Sequence, residues 1–106
     1  MENVEKKVFD TAVKEFSRKM NASKDKTVTT AVGFDSKKLL KWLKKVAPVS
    51  SEIQVRFGIY SKKTARSSEE ADRVTVFFMA CDENGDQATD ENGEPVDPVN
   101  AGNIYP

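Results

Sequence analysis

Hydrophobic positions in the first half of the chain follow a helical period in two places. Residues 4–20 repeat them at the three- and four-residue spacing of an amphipathic helix, all on one half of its circumference: Val4, Val8, Phe9, Ala12, Val13, Phe16 and Met20. A second helix is predicted from about Lys37 to Val46, with Asp35 or Ser36 as its N-cap and Pro48 ending it. Five lysines lie on one side of this second helix, opposite its hydrophobic arc: Lys37, Lys38, Lys41, Lys44 and Lys45.

The hydrophobic period changes to two in the segments that we predict as strands. Residues 27–34 are rich in β-branched side chains, and residues 53–60 alternate strictly between hydrophobic and other positions. Residues 73–81 are hydrophobic at both alternating sets of positions, so we expect that strand to be buried on both faces or covered by a partner. The polar stretch 61–72 between the last two strands is predicted to be a mobile loop.

The composition changes after Cys81. Residues 82–106 contain Asp-Glu-Asn-Gly twice, three prolines and few hydrophobic side chains, which predicts turns within an extended or disordered segment. We therefore predict a single α+β domain over residues 1–81 and an acidic, turn-rich tail over 82–106 that is partly ordered at most. The order is helix–strand–helix–strand–strand with a mainly antiparallel sheet. If segments 27–34 and 53–60 paired in parallel, the second helix would form a right-handed crossover between them.

The charges are segregated along the chain although the formal net charge is zero. The first 66 residues carry 16 positive and 7 negative side chains, and the remaining 40 carry 1 and 10, so the two parts are +9 and −9. Such asymmetry indicates a charged partner or an acidic tail. Because a tethered acidic segment meets the lysine side of the second helix at high effective concentration, we expect an intramolecular shield.

Several classes of chemistry lack the residues they need. The chain has no histidine and one cysteine, Cys81, which removes imidazole bases, Cys-His pairs and ordinary zinc sites. These absences favour a non-enzymatic protein without excluding an enzyme, and we assign no catalytic residue, metal site or cofactor. Asp82, Asn84 and Asp86 match the start of a calcium loop, but Gln87 stands where its turn glycine belongs. No segment predicts a signal peptide or a membrane span, and we expect a cytoplasmic protein.

Three functions remain open, and the first is a protein-interaction module, self-associating as a homodimer through one face of the predicted sheet. The residues we assign to that face are Arg56, Tyr60, Thr75, Phe77 and Met79. The second is binding of a polyanion by the five lysines of the second helix, although a pI near 6.3 and the absence of arginine or aromatic residues beside them disfavour nucleic acid. The third is a metal- or ligand-binding protein that uses carboxylates.

One resemblance covers residues 27–97. A strand ending in Gly-Phe-Asp-Ser, a lysine-rich helix, then Val-Arg-Phe-Gly-Ile-Tyr and Arg-Val-Thr-Val-Phe-Phe-Met-Ala-Cys-Asp-Glu-Asn-Gly follow one another. This order resembles a group of small bacterial proteins in which no activity is established. The resemblance implies the strand–helix–strand–strand order and assigns no catalytic residue.

Overall fold

Two helices and four antiparallel strands make up the part of the chain that the computed structural model describes, which is residues 1–61, 63, 72–100 and 102–105. In chain order the elements are α1 (Lys6–Lys19), β1 (Ala31–Gly33), α2 (Ser36–Val46), a 3₁₀ turn (Ala47–Val49), β2 (Glu52–Ile59), β3 (Val74–Cys81) and β4 (Asn103–Tyr105). The predicted α+β class is confirmed. Most of the loop predicted at 61–72 lies outside the described residues.

The longest strands, β2 and β3, form an antiparallel pair over eight positions, from Glu52 opposite Cys81 to Ile59 opposite Val74. Both begin and end within one residue of the segments predicted from the alternating pattern. Val55 lies opposite Phe78, so hydrophobic side chains from both strands share one face. Arg56 lies opposite Phe77 on the other face.

The first predicted strand is much shorter than residues 27–34 and pairs elsewhere. β1 pairs antiparallel with β4, with Val32 opposite Ile104, and the parallel pairing considered for residues 53–60 is wrong. Side chains bind the preceding segment in place of a strand ladder: the Arg73 guanidinium donates to the carbonyls of Thr27 and Val28. The Thr29 hydroxyl donates to the carbonyl of Val74.

Helix α2 begins and packs as its sequence predicts. The Asp35 carboxylate accepts hydrogen bonds from the backbone N–H groups of Lys37 and Lys38, at 3.1 and 2.9 Å, and so caps the helix. The small core forms under this helix, where Val46, Ala80 and Ala88 are fully buried. Half-buried side chains surround these three residues, namely Trp42, Ile53 and Val96.

Residues 82–100 run back along the edge of β3 that β2 leaves free. Backbone bridges join Cys81 to Gln87 and Phe78 to Val99, with N–H···O distances of 3.0 Å in both directions at the second bridge. The two Asp-Glu-Asn-Gly repeats form turns of the same kind, in which the carboxylate of the first aspartate accepts from backbone N–H groups two and four residues ahead. Gly85 and Gly93 take the positive φ angles, 82° and 78°, that close these turns.

The single chain is extended and exposes much surface. Its accessible surface is 8390 Å², whereas a folded monomer of 11.8 kDa typically exposes roughly 5,900 Å². Its radius of gyration is 16.0 Å, against about 13 Å for a compact chain of this length. Helix α1 contributes to this exposure, since none of its residues is buried.

Candidate functional site

One end of the β2–β3 pair presents hydrophobic side chains to solvent. Val55, Phe57 and Ile59 on β2 and Val74 on β3 form this surface, which we call the apolar sheet face. Phe57 is 79% exposed although it lies near the middle of an eight-residue strand. An isolated exposed hydrophobic residue is ordinary, but four adjacent ones indicate a contact surface.

The apolar sheet face is the uncovered continuation of a face that α2 covers at its other end. Ile53 packs against the core, and the Phe78 ring contacts the rings of Phe34 and Trp42, with centroid distances of 4.5 and 6.4 Å. Phe78 lies opposite Val55, and beyond this pair Phe57 and Ile59 are 79% and 65% exposed. The same alternation that buries Ile53 therefore leaves Phe57 in solvent.

A second uncovered hydrophobic surface lies on and beside α1. Its side chains, which we call the α1 stripe, are each 42–62% exposed: Val4, Val8, Phe9, Val13, Phe16 and Met20. The polar side of the helix is held by its own ion pairs, such as Arg18 with Glu15. Arg18 lowers the pKa of the Glu15 carboxyl, and Glu15 raises that of the guanidinium, by their hydrogen bonds.

The connector from α1 to β1 is fixed by local hydrogen bonds. The backbone N–H groups of Ala22 and Asp25 donate to the carbonyls of Ser17 and Asn21, both at 2.9 Å, and Ala22 is buried. The Asp25 carboxylate accepts hydrogen bonds from the hydroxyl and from the backbone N–H of Thr27. Both bonds lower the pKa of Asp25, and the bond from the hydroxyl has the larger effect. These bonds fix the local conformation of residues 17–27.

The five residues that the sequence suggested as an interface lie on the opposite side of β2 and β3. Arg56 lies directly opposite Phe77 in the strand register, and the Tyr60 ring meets the Phe77 ring edge-on at 5.7 Å. Met79 is half-buried, and Thr75 is fully buried, where its hydroxyl accepts a 2.9 Å hydrogen bond from the Asn100 amide.

Of this set only Arg56 is exposed, and its guanidinium donates to the Gln54 side chain. An interface made of these five residues stays a prediction. The larger exposed hydrophobic surface is on the other face, and strict alternation from Ile53 to Ile59 was its signal in the sequence. That signal marks a face to be covered without saying what covers it.

The lysine side of α2 is exposed at all five positions, and none of these lysines forms an ion pair within the described part of the chain. A groove of about 470 Å³ separates the end of α2 from the second Asp-Glu-Asn-Gly turn. Lys45 and Trp42 line one side, and Asp90, Glu91 and Asp97 line the other. The acidic segment thus lies near the basic helix without bonding to it.

The residues considered for metal or nucleophilic chemistry have structural partners. Asp82 caps its own turn through the N–H groups of Asn84 and Asp86, and over the described ranges no three acidic or cysteine side chains come together as metal ligands. Cys81 is buried, and its thiol lies 3.6 Å from the carbonyl of Met79.

Comparisons with protein-family models, with curated proteins and with solved structures gave no match for this chain. They give no support to the bacterial resemblance, which stays an expectation. Among the helices described, none has the length and hydrophobicity needed to cross a bilayer. The exposed surfaces described above are therefore the observations that bear on function.

Proposed function

We propose that this chain is a non-enzymatic protein-interaction module that self-associates through the apolar sheet face. The observation that carries the proposal is the exposure of Phe57 together with Val55, Ile59 and Val74 on one continuous surface. Soluble chains rarely leave such a surface uncovered unless it binds a partner. The total accessible surface of the chain, well above that of a compact monomer, supports the same conclusion.

The energy available from this face suits reversible association. Complete burial of a valine, isoleucine or phenylalanine side chain contributes about 1.5–3 kcal/mol, and these four begin about half exposed or more. Loss of translational and rotational freedom on association costs about 4–15 kcal/mol. Because the gain from this face in two copies is of the same order as this cost, the face alone supports weak association, with dissociation constants toward the millimolar range.

The isoleucines offer a direct test, because the chain has only three: Ile53 beside the core, Ile59 on the apolar sheet face and Ile104 in β4. In a sample labelled with ¹³C at isoleucine methyl groups, the Ile59 signal should move as protein concentration rises from micromolar to millimolar. The Ile53 signal should move less, because that side chain packs against the core.

Two full-length variants assign the effect to the face. Phe57→Asp should abolish the movement of the Ile59 signal, because it places a charge in the centre of the contact. Leu40→Asp is the matched control, since Leu40 is a 52% exposed hydrophobic residue on α2. An Ile59 signal that is independent of concentration, or that moves equally in Phe57→Asp, would contradict the proposed function.

A further inference from the structure

We infer that the partner surface is the α1 stripe of a second copy, so that two copies each lay α1 on the other's apolar sheet face. This inference rests on the proposed function, because it names what the apolar sheet face binds. The contact is reciprocal: the helix of each copy meets the sheet of the other, as two-fold symmetry allows.

Helix α1 needs a surface that its own chain does not supply. A helix of 14 residues is marginally stable in water, and most helices in proteins are held by packing of their hydrophobic side. Here the hydrophobic side is strongly developed, yet Phe9 and Phe16 remain 54% and 47% exposed. A partner that covers the α1 stripe would also stabilise the helix.

The two surfaces match in width and in their hydrophobic character. A helix about 10 Å across covers two strands about 4.8 Å apart, which is the width of the β2–β3 pair. The fold already contains such a contact, because α2 lays Trp42 against Phe78 on the same face of the same strands. A second helix beside α2 would complete the layer over Phe57 and Ile59.

The connector favours the helix of another copy over the chain's own. With the hydrogen bonds of the connector and the buried Ala22 in place, both the α1 stripe and the apolar sheet face are exposed. For α1 to cover its own sheet, the turn at Asn21, which has a φ of 58°, and the Asp25–Thr27 bonds would have to rearrange. A second copy can contact α1 without any such rearrangement.

The area involved is that of a stable dimer. Ten side chains, six in the α1 stripe and four on the apolar sheet face, expose on the order of 100 Å² each. If every one of these side chains were fully covered, one helix–sheet contact would bury roughly 1,000 Å² and the reciprocal pair roughly 2,000 Å², which is an upper bound within the range of specific interfaces. Each chain would then bury roughly 1,000 Å², less than half of the roughly 2,500 Å² that it exposes beyond a typical monomer.

A complementation experiment with full-length chains tests the inference. Phe16→Asp removes the helix contribution and keeps the sheet face, whereas Phe57→Asp removes the sheet contribution and keeps the helix. Each variant alone should dissociate at least about tenfold more readily than the parent chain in sedimentation velocity. Both residues are substantially exposed, so the core should stay folded, and unchanged Ile53 and Ile104 methyl signals would confirm it.

The mixture gives the decisive readout. With ¹³C-isoleucine in Phe16→Asp only, the Ile59 signal should move when unlabelled Phe57→Asp is added, because that chain brings an intact α1 stripe. It should not move when unlabelled Phe16→Asp/Phe57→Asp is added. Helical circular dichroism should also rise in the first mixture, as α1 gains a packing surface.

The other outcomes separate the inference from the proposed function. If Phe16→Asp alone still associates like the parent chain, the sheets or the β2 edges meet directly; the inference is overturned and the proposed function stands. If the Ile59 signal of Phe16→Asp differs from that of the parent chain at every concentration while both chains stay monomeric, α1 covers its own sheet. That result would overturn both the inference and the proposed function. If Phe57→Asp associates like the parent chain, the proposed function fails, and the inference with it.

Discussion

Phe57 and Phe78 offer a matched pair for distinguishing a binding surface from a core. They lie on the same face of the β2–β3 pair, on adjacent strands, but only Phe78 is covered by the chain itself. Replacing each with alanine in the full-length chain removes the same atoms from two environments. The structure predicts that Phe78→Ala lowers the free energy of unfolding of the monomer, whereas Phe57→Ala weakens self-association.

The expected destabilisation by Phe78→Ala is about 3 kcal/mol. Phenylalanine-to-alanine changes in cores cost about 3–5 kcal/mol, and the lower end applies because Phe78 is half-buried. The ring contacts with Phe34 and Trp42 are the ones lost. Against a total stability of about 5–15 kcal/mol for a domain of this size, this is a large fraction. Phe57→Ala should change the stability of the monomer by less than about 0.5 kcal/mol, because its ring is largely in solvent.

Urea unfolding followed by tryptophan fluorescence measures both effects, since Trp42 is the only tryptophan and lies beside Phe78. At concentrations low enough to keep the chain monomeric, only Phe78→Ala should lower the midpoint. At high concentration the parent chain should gain stability through association and Phe57→Ala should not. If Phe57→Ala lowers the low-concentration midpoint as much as Phe78→Ala does, Phe57 is packed within the monomer and the reasoning is refuted.

Three further predictions concern the helix cap, the connector and the lysines. Asp35→Ala should lower the free energy of unfolding by about 1 kcal/mol while Asp35→Asn stays near the parent chain; an equal loss in both would contradict a capping role. Thr27→Val should raise the pKa of Asp25 in a carboxyl ¹³C titration. A lowered pKa stabilises the folded chain at pH values above the unfolded pKa, and this stabilisation is lost as the pH falls through the folded pKa. The variant should therefore lose less stability than the parent chain below about pH 4, and an unchanged Asp25 titration would contradict the role of the hydroxyl. In fluorescence anisotropy with duplex DNA at low salt, neutralising the acidic residues of 90–97 should strengthen binding and Lys41→Glu should weaken it; no response to either change would rule out both the polyanion alternative and the shield.

The parts of the fold that the sequence predicts well are those with a strong local signal. Helix α2 combines a clean hydrophobic arc with a capping aspartate at its start and a proline after its end, so Asp35 and Pro48 bound it closely. Strands β2 and β3 follow from alternation and from the density of β-branched and aromatic residues between Ile53 and Cys81. In each case residues within one element carry the information.

The parts that the sequence does not predict depend on distant partners. Strand β1 is only three residues long and is completed by β4, more than 70 residues later, which no local pattern indicates. The binding of residues 27–28 depends on one side chain, Arg73. The burial of Thr75 is likewise not predictable locally, because it depends on Asn100, whose side chain bonds the Thr75 hydroxyl and the Val76 carbonyl.

Alternation in β2 nevertheless carries information that a single chain does not explain. Val55, Phe57 and Ile59 occupy the positions that the period of two assigns to a buried face, and the α1 stripe occupies the buried side of a regular amphipathic helix. Both patterns specify burial, yet both surfaces are exposed in the isolated chain. A hydrophobic pattern specifies that a face is covered without specifying which copy covers it. Two such hydrophobic faces, left open in the same chain, are what a sequence patterned for assembly with itself would show.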